Sequence, residues 1–455
     1  MKRKTTLDLT EGPILSKLCL FALPLLINSF VNHLYSTADT MVMGRFGGTE
    51  AMAAVGASAM PLTLLVSMFS GLSLGVTVNC GNLKGGHKDK ELSDCMHTGA
   101  LMGFLIGVII CAVGITATRP ILRLMNTPAE ILDSAALYMT LRFAPCPLWI
   151  FAVFGDSIFY AHGESQIPTI IGISCGLVNV ALNMVFVAGL GMGVEGVALA
   201  TAISQVLNAI TVATILFSRK GMFKMSFTKL RLHWQYVRSI LTVGIPNSLS
   251  NMVFSISNVF MQSAVNRFGA TAIAGNIAAS ELIGYPSLIL TAIRSACVSA
   301  TAQCCGAQKY QRVAQIAKIS APACTALIVA LAIPLTLFSE ELLLLFCEDL
   351  SVAQMGQPKL LIACWGYILF GLGKVYGGCL AGMRKANEGL ACEIVGIIIP
   401  RLLWIWFVVP HFESISWLYV VYPLTWLAAA VLSMICFRHY LRKAMQSDPV
   451  PAGAG

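Results

Sequence analysis

Residues 21–38 (FALPLLINSFVNHLYSTA), 101–118 (LMGFLIGVIICAVGITAT), 323–338 (ACTALIVALAIPLTLF) and 426–437 (WLAAAVLSMICF) lie in apolar stretches without a break. A run of about 20 such residues, wound as a helix, crosses the roughly 30 Å hydrocarbon layer of a bilayer. About twelve spans can be placed, near 14–42, 51–79, 95–118, 134–158, 167–188, 194–217, 237–263, 272–300, 315–338, 358–380, 389–409 and 415–437. Lipid offers backbone groups no partner, so each span is predicted as a helix. With 57% hydrophobic and 11% charged residues, the 455-residue chain leaves no room for a soluble domain of ordinary size. The expected class is an all-α integral membrane protein.

The amino terminus, MKRKTTLDLTEGPILSKLCLFALPLL, joins a basic head to an apolar run with no small-residue cleavage site, and reads as a retained first helix. The 15 cysteines show no CxxC and no histidine at ligand spacing, so they read as small apolar packing residues. The net charge of +9 is distributed by topology. With a cytoplasmic amino terminus, one set of connections carries Lys2, Arg3, Lys4, Lys84, Lys88, Lys90, Arg219, Lys220, Lys224, Lys229, Arg231, Lys309, Arg312, Arg384, Lys385, Arg438, Arg442 and Lys443. The alternate set has little beyond Arg45, Arg119, Arg123 and Arg267. This positive-inside bias predicts an even number of spans with both termini cytoplasmic, and nucleic acid is not needed to explain the charge.

The chain repeats itself. Pro24 to Ser58 aligns without gaps on Pro246 to Ser280, an offset of 246 − 24 = 222, with RFGGTEAMAAVGAS facing RFGATAIAGNIAAS. After a one-residue shift, KGGHKDKEL faces CGAQKYQRV. Two six-helix bundles in the same orientation follow, as in parallel-repeat transporters. The expected layout is an N-lobe at 1–217, a basic cytoplasmic linker at 218–236, a C-lobe at 237–440 and a cytoplasmic tail at 441–455.

Asn28, Asn32, Tyr35 and Asp39 step by 4, 3 and 4 along the first span, so they share one face. A polar stripe turned to lipid would cost several kcal/mol per group, so this face is expected to meet protein or a watery cavity. Dehydration and the negative end of the helix dipole both disfavour the Asp39 carboxylate, which is therefore poised to take a proton or a cation. Its repeat partner is Met261, although that helix keeps Asn247, Asn251, Asn258 and Gln262. One lobe has the acid; the other has amides.

Asn179 and Asn183 share a face of the fifth span and Thr201 lies in the sixth. Their oxygens suit Na⁺ and serve equally as inter-helix hydrogen bonds. Glu281, near the middle of the eighth span, is a further candidate for the substrate or ion path. Arg294, Lys374, Glu393 and Arg401 read as snorkelling or pairing groups, and Arg142 and Asp156 sit toward the ends of span four. No HExxH, GxSxG or Walker A motif occurs, which argues against protease, lipase and ATP-driven pump. A membrane-embedded enzyme therefore lacks its chemical parts, and an ion gradient is the expected energy source.

The stretches DLTEGPILSKLCLFALPLL, ADTMVMGRFGGTEAMAAVG, GLVNVALNMVFVAGLGMGVEGVALATAISQ and CGAQKYQRV resemble the multidrug and toxic compound extrusion (MATE) family over nearly the whole chain. The resemblance implies two six-helix bundles forming a V. It implies export of small amphipathic, often cationic compounds in exchange for H⁺ or Na⁺, with no other cofactor. The family's first-helix acid matches Asp39, and its amino-lobe polar cluster matches Asn179, Asn183 and Thr201; with Na⁺ as coupling ion, these four would be its ligands. Asn183 stands where the bacterial and archaeal branch usually has an aspartate, and Phe254 stands where another branch has a seventh-helix glutamate. The protein is expected to be a monomer among lipids of a bacterial cytoplasmic membrane. The alternative is a lipid-linked oligosaccharide flippase of the same superfamily, which should line its cavity with several basic residues, for which Arg294 and Arg401 are the foremost candidates.

Overall fold

The computed structural model describes residues 7–42, 48–125, 127–219, 224–345, 349–411 and 414–447, with the side chains at 36–42, 48–53, 59–60 and 447 left aside. The described residues form helices and no strand. In chain order these are α1 (Ile14–Val42), α2 (Gly48–Gly85), α3 (Asp89–Leu124), α4 (Ala129–Phe143), α5 (Cys146–Ala161), α6 (Gln166–Asn183), α7 (Val194–Ser218) and α8 (Trp234–Asn266). They continue as α9 (Ala270–Gly306), α10 (Tyr310–Leu337), α11 (Ser339–Leu344), α12 (Leu350–Gly382), α13 (Ala386–Glu393), α14 (Ile399–Leu403) and α15 (Ile415–Ser447). Wider π-helical turns extend α6 at Met184–Gly189 and flank α14 at Ile394–Ile398 and Trp404–Val408.

Among the described residues, 10 helices are long and apolar enough to cross a membrane, and the pair α4–α5 makes an eleventh. That span, expected as one continuous helix, bends by 48° between Phe143 and Cys146. Pro145 and Pro147 both lack an N–H, so the ladder loses two donors within three residues there. α8 has 33 residues, enough to cross, and its Asn247, Ser248, Ser250, Asn251, Asn258 and Gln262 hold its hydropathy down. With α8 the number is consistent with the expected twelve.

The chain divides into two compact units, one of residues 1–7 and 27–244, the other of 8–26 and 245–455. The division cuts α1 two residues after Pro24, and α8 just before Pro246. In the second unit, Leu9 N donates to Gln303 Oε1 at 3.1 Å, and Arg312 Nε donates to Leu9 O at 3.0 Å. In the first unit, side chains of α3 likewise hold the linker backbone. Ser226 N donates to His97 Nε2 at 2.9 Å, and His233 N donates to Thr98 Oγ1 at 3.2 Å.

Each unit packs through small residues, which in lipid let backbones approach and gain dispersion contacts. A Cβ on Gly107 of α3 would lie 2.5 Å from Pro147 Cα, and one on Gly275 of α9 would lie 2.5 Å from Val352 O of α12. The duplication is visible in the backbone as well. Left-handed φ occurs at His87 (54°) and Gln308 (57°), and at Gly163 (73°) and Arg384 (62°), each pair 308 − 87 = 384 − 163 = 221 residues apart.

Candidate functional site

The first unit holds a cavity of about 720 Å³. α1 lines it with Asn28, Asn32 and Tyr35, so the predicted stripe does face a chamber inside protein. The stripe lies close because α6 presents Gly172 and Gly176, one turn apart. A Cβ on Gly172 would come 2.5 Å from Asn28 Oδ1, and one on Gly176 would come 2.0 Å from the Tyr35 ring. Asn32 Nδ2 donates to Asn28 Oδ1 at 3.1 Å within α1, and Tyr35 OH donates to Ile173 O at 3.2 Å, which ties α1 to α6.

Asn179, Asn183 and Thr201 come together as one chain of groups. Asn183 Nδ2 donates to Asn179 Oδ1 and Asn179 Nδ2 to Thr201 Oγ1, both at 3.4 Å, while Thr201 Oγ1 donates to Val197 O at 2.9 Å. Asn179 and Thr201 face the cavity; Asn183 is fully buried behind them. The side chain of Asp39, one turn beyond Tyr35, lies outside the described residues. Glu281 sits on α9 in the second unit, exposed, and does not line this cavity.

The cavity also contains groups to which the sequence alone assigns no role. Asp156 of α5 reaches it with Oδ1 buried and without a hydrogen-bond partner, and Arg142 of α4 has its Nε in the same condition. α7 adds Ser204, Gln205 and Asn208 to Thr201, at i, i+3, i+4 and i+7. That spacing is the same signal that marked α1, and it was legible in the sequence. Asp156 was not assigned because the bend at Pro145 sets the direction of α5. Taken together, the walls offer amide and hydroxyl oxygens, a carboxyl, two tyrosines and the Arg142 guanidinium. Such a lining can hold a desolvated monovalent cation or an organic ammonium group. Among the described residues no group of three His, Cys, Asp or Glu side chains could chelate a transition metal.

In the second unit, Lys374 and Glu393 pair at 2.9 Å, and Ser250 Oγ also bonds Glu393. Arg294 donates to Asn247 Oδ1 at 2.7 Å. These groups meet around a space of about 20 Å³, room for roughly one water.

A duplicated helical membrane protein with a polar chamber inside one unit is by class a transporter. The chain belongs to the MatE family, whose profile matches it twice, over residues 24–185 and again over 246–404. The two matches begin 222 residues apart, at the repeat-related prolines. The chain is 26% identical over 437 residues to the "Probable multidrug resistance protein YoeA" of Bacillus subtilis, covering 92% of each chain. It is 21% identical over 387 residues to the multidrug export protein MepA of Staphylococcus saprophyticus, covering 85% of each. A solved structure described as the outward-facing conformation of a multidrug resistance MATE family transporter superposes with a TM-score of 0.91. The superposition covers 98% of this chain and 100% of that one at 19% identity, a likeness of fold. This is a multi-pass membrane transporter, and its relatives favour efflux over the flippase alternative.

Proposed function

We propose that the protein exports small amphipathic, chiefly cationic molecules by antiport against H⁺ or Na⁺, with its lobes alternating access to the two sides of the membrane. The observation that carries this reading is the cavity of the first unit, where the unpartnered Asp156 carboxyl shares walls with the Asn179–Thr201 cluster and the α1 stripe that leads to Asp39. A carboxyl held away from water changes its preferred charge when a proton or cation arrives. Ion entry from outside would neutralise it and release the exported cation; ion loss inside would restore the charge and favour the next one.

The test is uptake of ethidium into inside-out vesicles with ΔpH and ΔpNa imposed separately. Asp39→Asn and Asp156→Asn should each lower ion-driven uptake about tenfold or more, equivalent to at least ~1.4 kcal/mol. Wild-type rates in Asp39→Asn, under either gradient, would remove Asp39 from the coupling step.

A further inference from the structure

We propose that Arg401, in the second unit, is a binding site for a planar oxyanion, a carboxylate or phosphate group, carried by a transported molecule. The proposal deepens the transporter reading and rests on it only for the origin of the ligand.

Arg401 has no exposed surface. Its Nη1 donates to Ser257 Oγ at 3.0 Å and to Asn258 Oδ1 at 3.1 Å, both on α8. Its guanidinium carbon lies 5.7 Å from the Phe254 ring centre and 4.9 Å from that of Tyr422. Nε and Nη2 are buried and make no hydrogen bond, and among the described residues no carboxylate lies within 4.0 Å of the group. Those two nitrogens form the edge of a guanidinium that takes a carboxylate or phosphate with two parallel bonds. The edge used for fork recognition is thus without a partner while the other end is anchored.

A buried charge without a counter-ion is costly, and aromatic faces offset only part of that cost. The surroundings do not supply that counter-ion. Lys374 Nζ lies 5.6 Å from the centre of the same Phe254 ring and 4.8 Å from Phe370, so two cations share one aromatic side chain. The carboxylate of Glu393 is taken by Lys374 at 2.9 Å, beside Arg294, and is not within 4.0 Å of Arg401. The backbone carries its own mark: α14, which bears Arg401, is five residues held between two π-helical segments. Such wide turns recur at functional sites. In the first unit Asn183 directly precedes the corresponding π-helical segment, and the two matches of the family profile end at 185 and 404. The repeat therefore puts a guanidinium close to where the other copy has its amide cluster.

The experiment uses the full chain in phosphatidylcholine nanodiscs and two fluorescent probes, dansylglycine and its neutral amide. Wild type is expected to bind the carboxylate at least about tenfold more tightly than the amide, a two-bond charge-assisted difference. Arg401→Lys keeps a charge but loses the fork, and should lose most of that preference while retaining its melting temperature; Arg401→Gln should abolish it. Equal binding of the two probes by wild type overturns the proposal even if every variant unfolds. A preference undiminished in Arg401→Lys and Arg401→Gln does the same. Adding phosphatidylglycerol provides the second arm: displacement of dansylglycine would make a lipid headgroup the occupant and overturn the substrate assignment. Binding is read without any gradient, so failed ion-driven transport with intact carboxylate preference would count against the antiport reading and not against this site.

Discussion

The two units start from one ancestral sequence and end with different interiors. The first lines its chamber with Asn28, Asn32, Asn179, Thr201 and Gln205, together with the Asp156 carboxyl and the Arg142 guanidinium. The second sets Lys374 and Arg401 against Phe254, Phe370 and Tyr422, with Glu393 paired to Lys374. What they kept in common is backbone: Pro24 and Pro246, the left-handed turns 221 residues apart, and the π-helical segments that follow Asn183 and Arg401. Bends and turns are constrained by the need to close every hydrogen bond in lipid, so they change slowly. Side chains inside a chamber are freer, and the two copies diverged there.

Charge removal should break this contrast most visibly. Glu393→Gln leaves Lys374 in a dry interior without its counter-ion, and should destabilise the detergent-purified protein by about 3 kcal/mol. Adding Lys374→Met should recover most of the loss; a Glu393→Gln protein with an unchanged unfolding midpoint would show that the second interior tolerates excess charge. Packing supplies the next contrast. Gly176→Val forces atoms into the Tyr35 ring and should cost ~2 kcal/mol, whereas Gly377→Ala, which meets nothing within 4 Å, should leave the midpoint where it is.

The last contrast concerns pH. His162, just past the end of α5, is pushed down to about 3, chiefly by burial. Its neutral form is therefore favoured by folding, and the unfolded chain takes up the proton first. Stability is fully present above about 6.5 and should fall by roughly 1.4 kcal/mol per pH unit as pH drops from there toward 3. The repeat-related position is Met383, which cannot titrate, so His162→Met should flatten the pH dependence of thermal unfolding. A slope that survives the substitution would assign it elsewhere.

The membrane-spanning architecture and the duplication were legible in the sequence, because hydropathy and Arg-Phe-Gly-x-Thr recurring at offset 222 are local signals. The α1 stripe was legible for the same reason, since i, i+4 spacing fixes a shared face. The link from Asn183 to Asn179 spans one turn, but Thr201 joins it only through the packing of α6 on α7. Asp156 and Arg401 show the limit. Whether an ionisable side chain in a span is paired depends on neighbours distant in sequence, and Lys374 and Arg401 look alike until Glu393 is found beside only one of them. The 48° bend was visible as two prolines, yet its direction, which aims α5, was not.

Residues 8–26 complete the second unit, while residues as far as Gly244 complete the first. Neither copy is self-sufficient: a cut in the linker would produce two fragments, each missing helical turns that its counterpart supplies. An ancestor of single-repeat length with this wiring would have formed a reciprocal swapped pair, and fusion of the two copies fixed their stoichiometry at one to one.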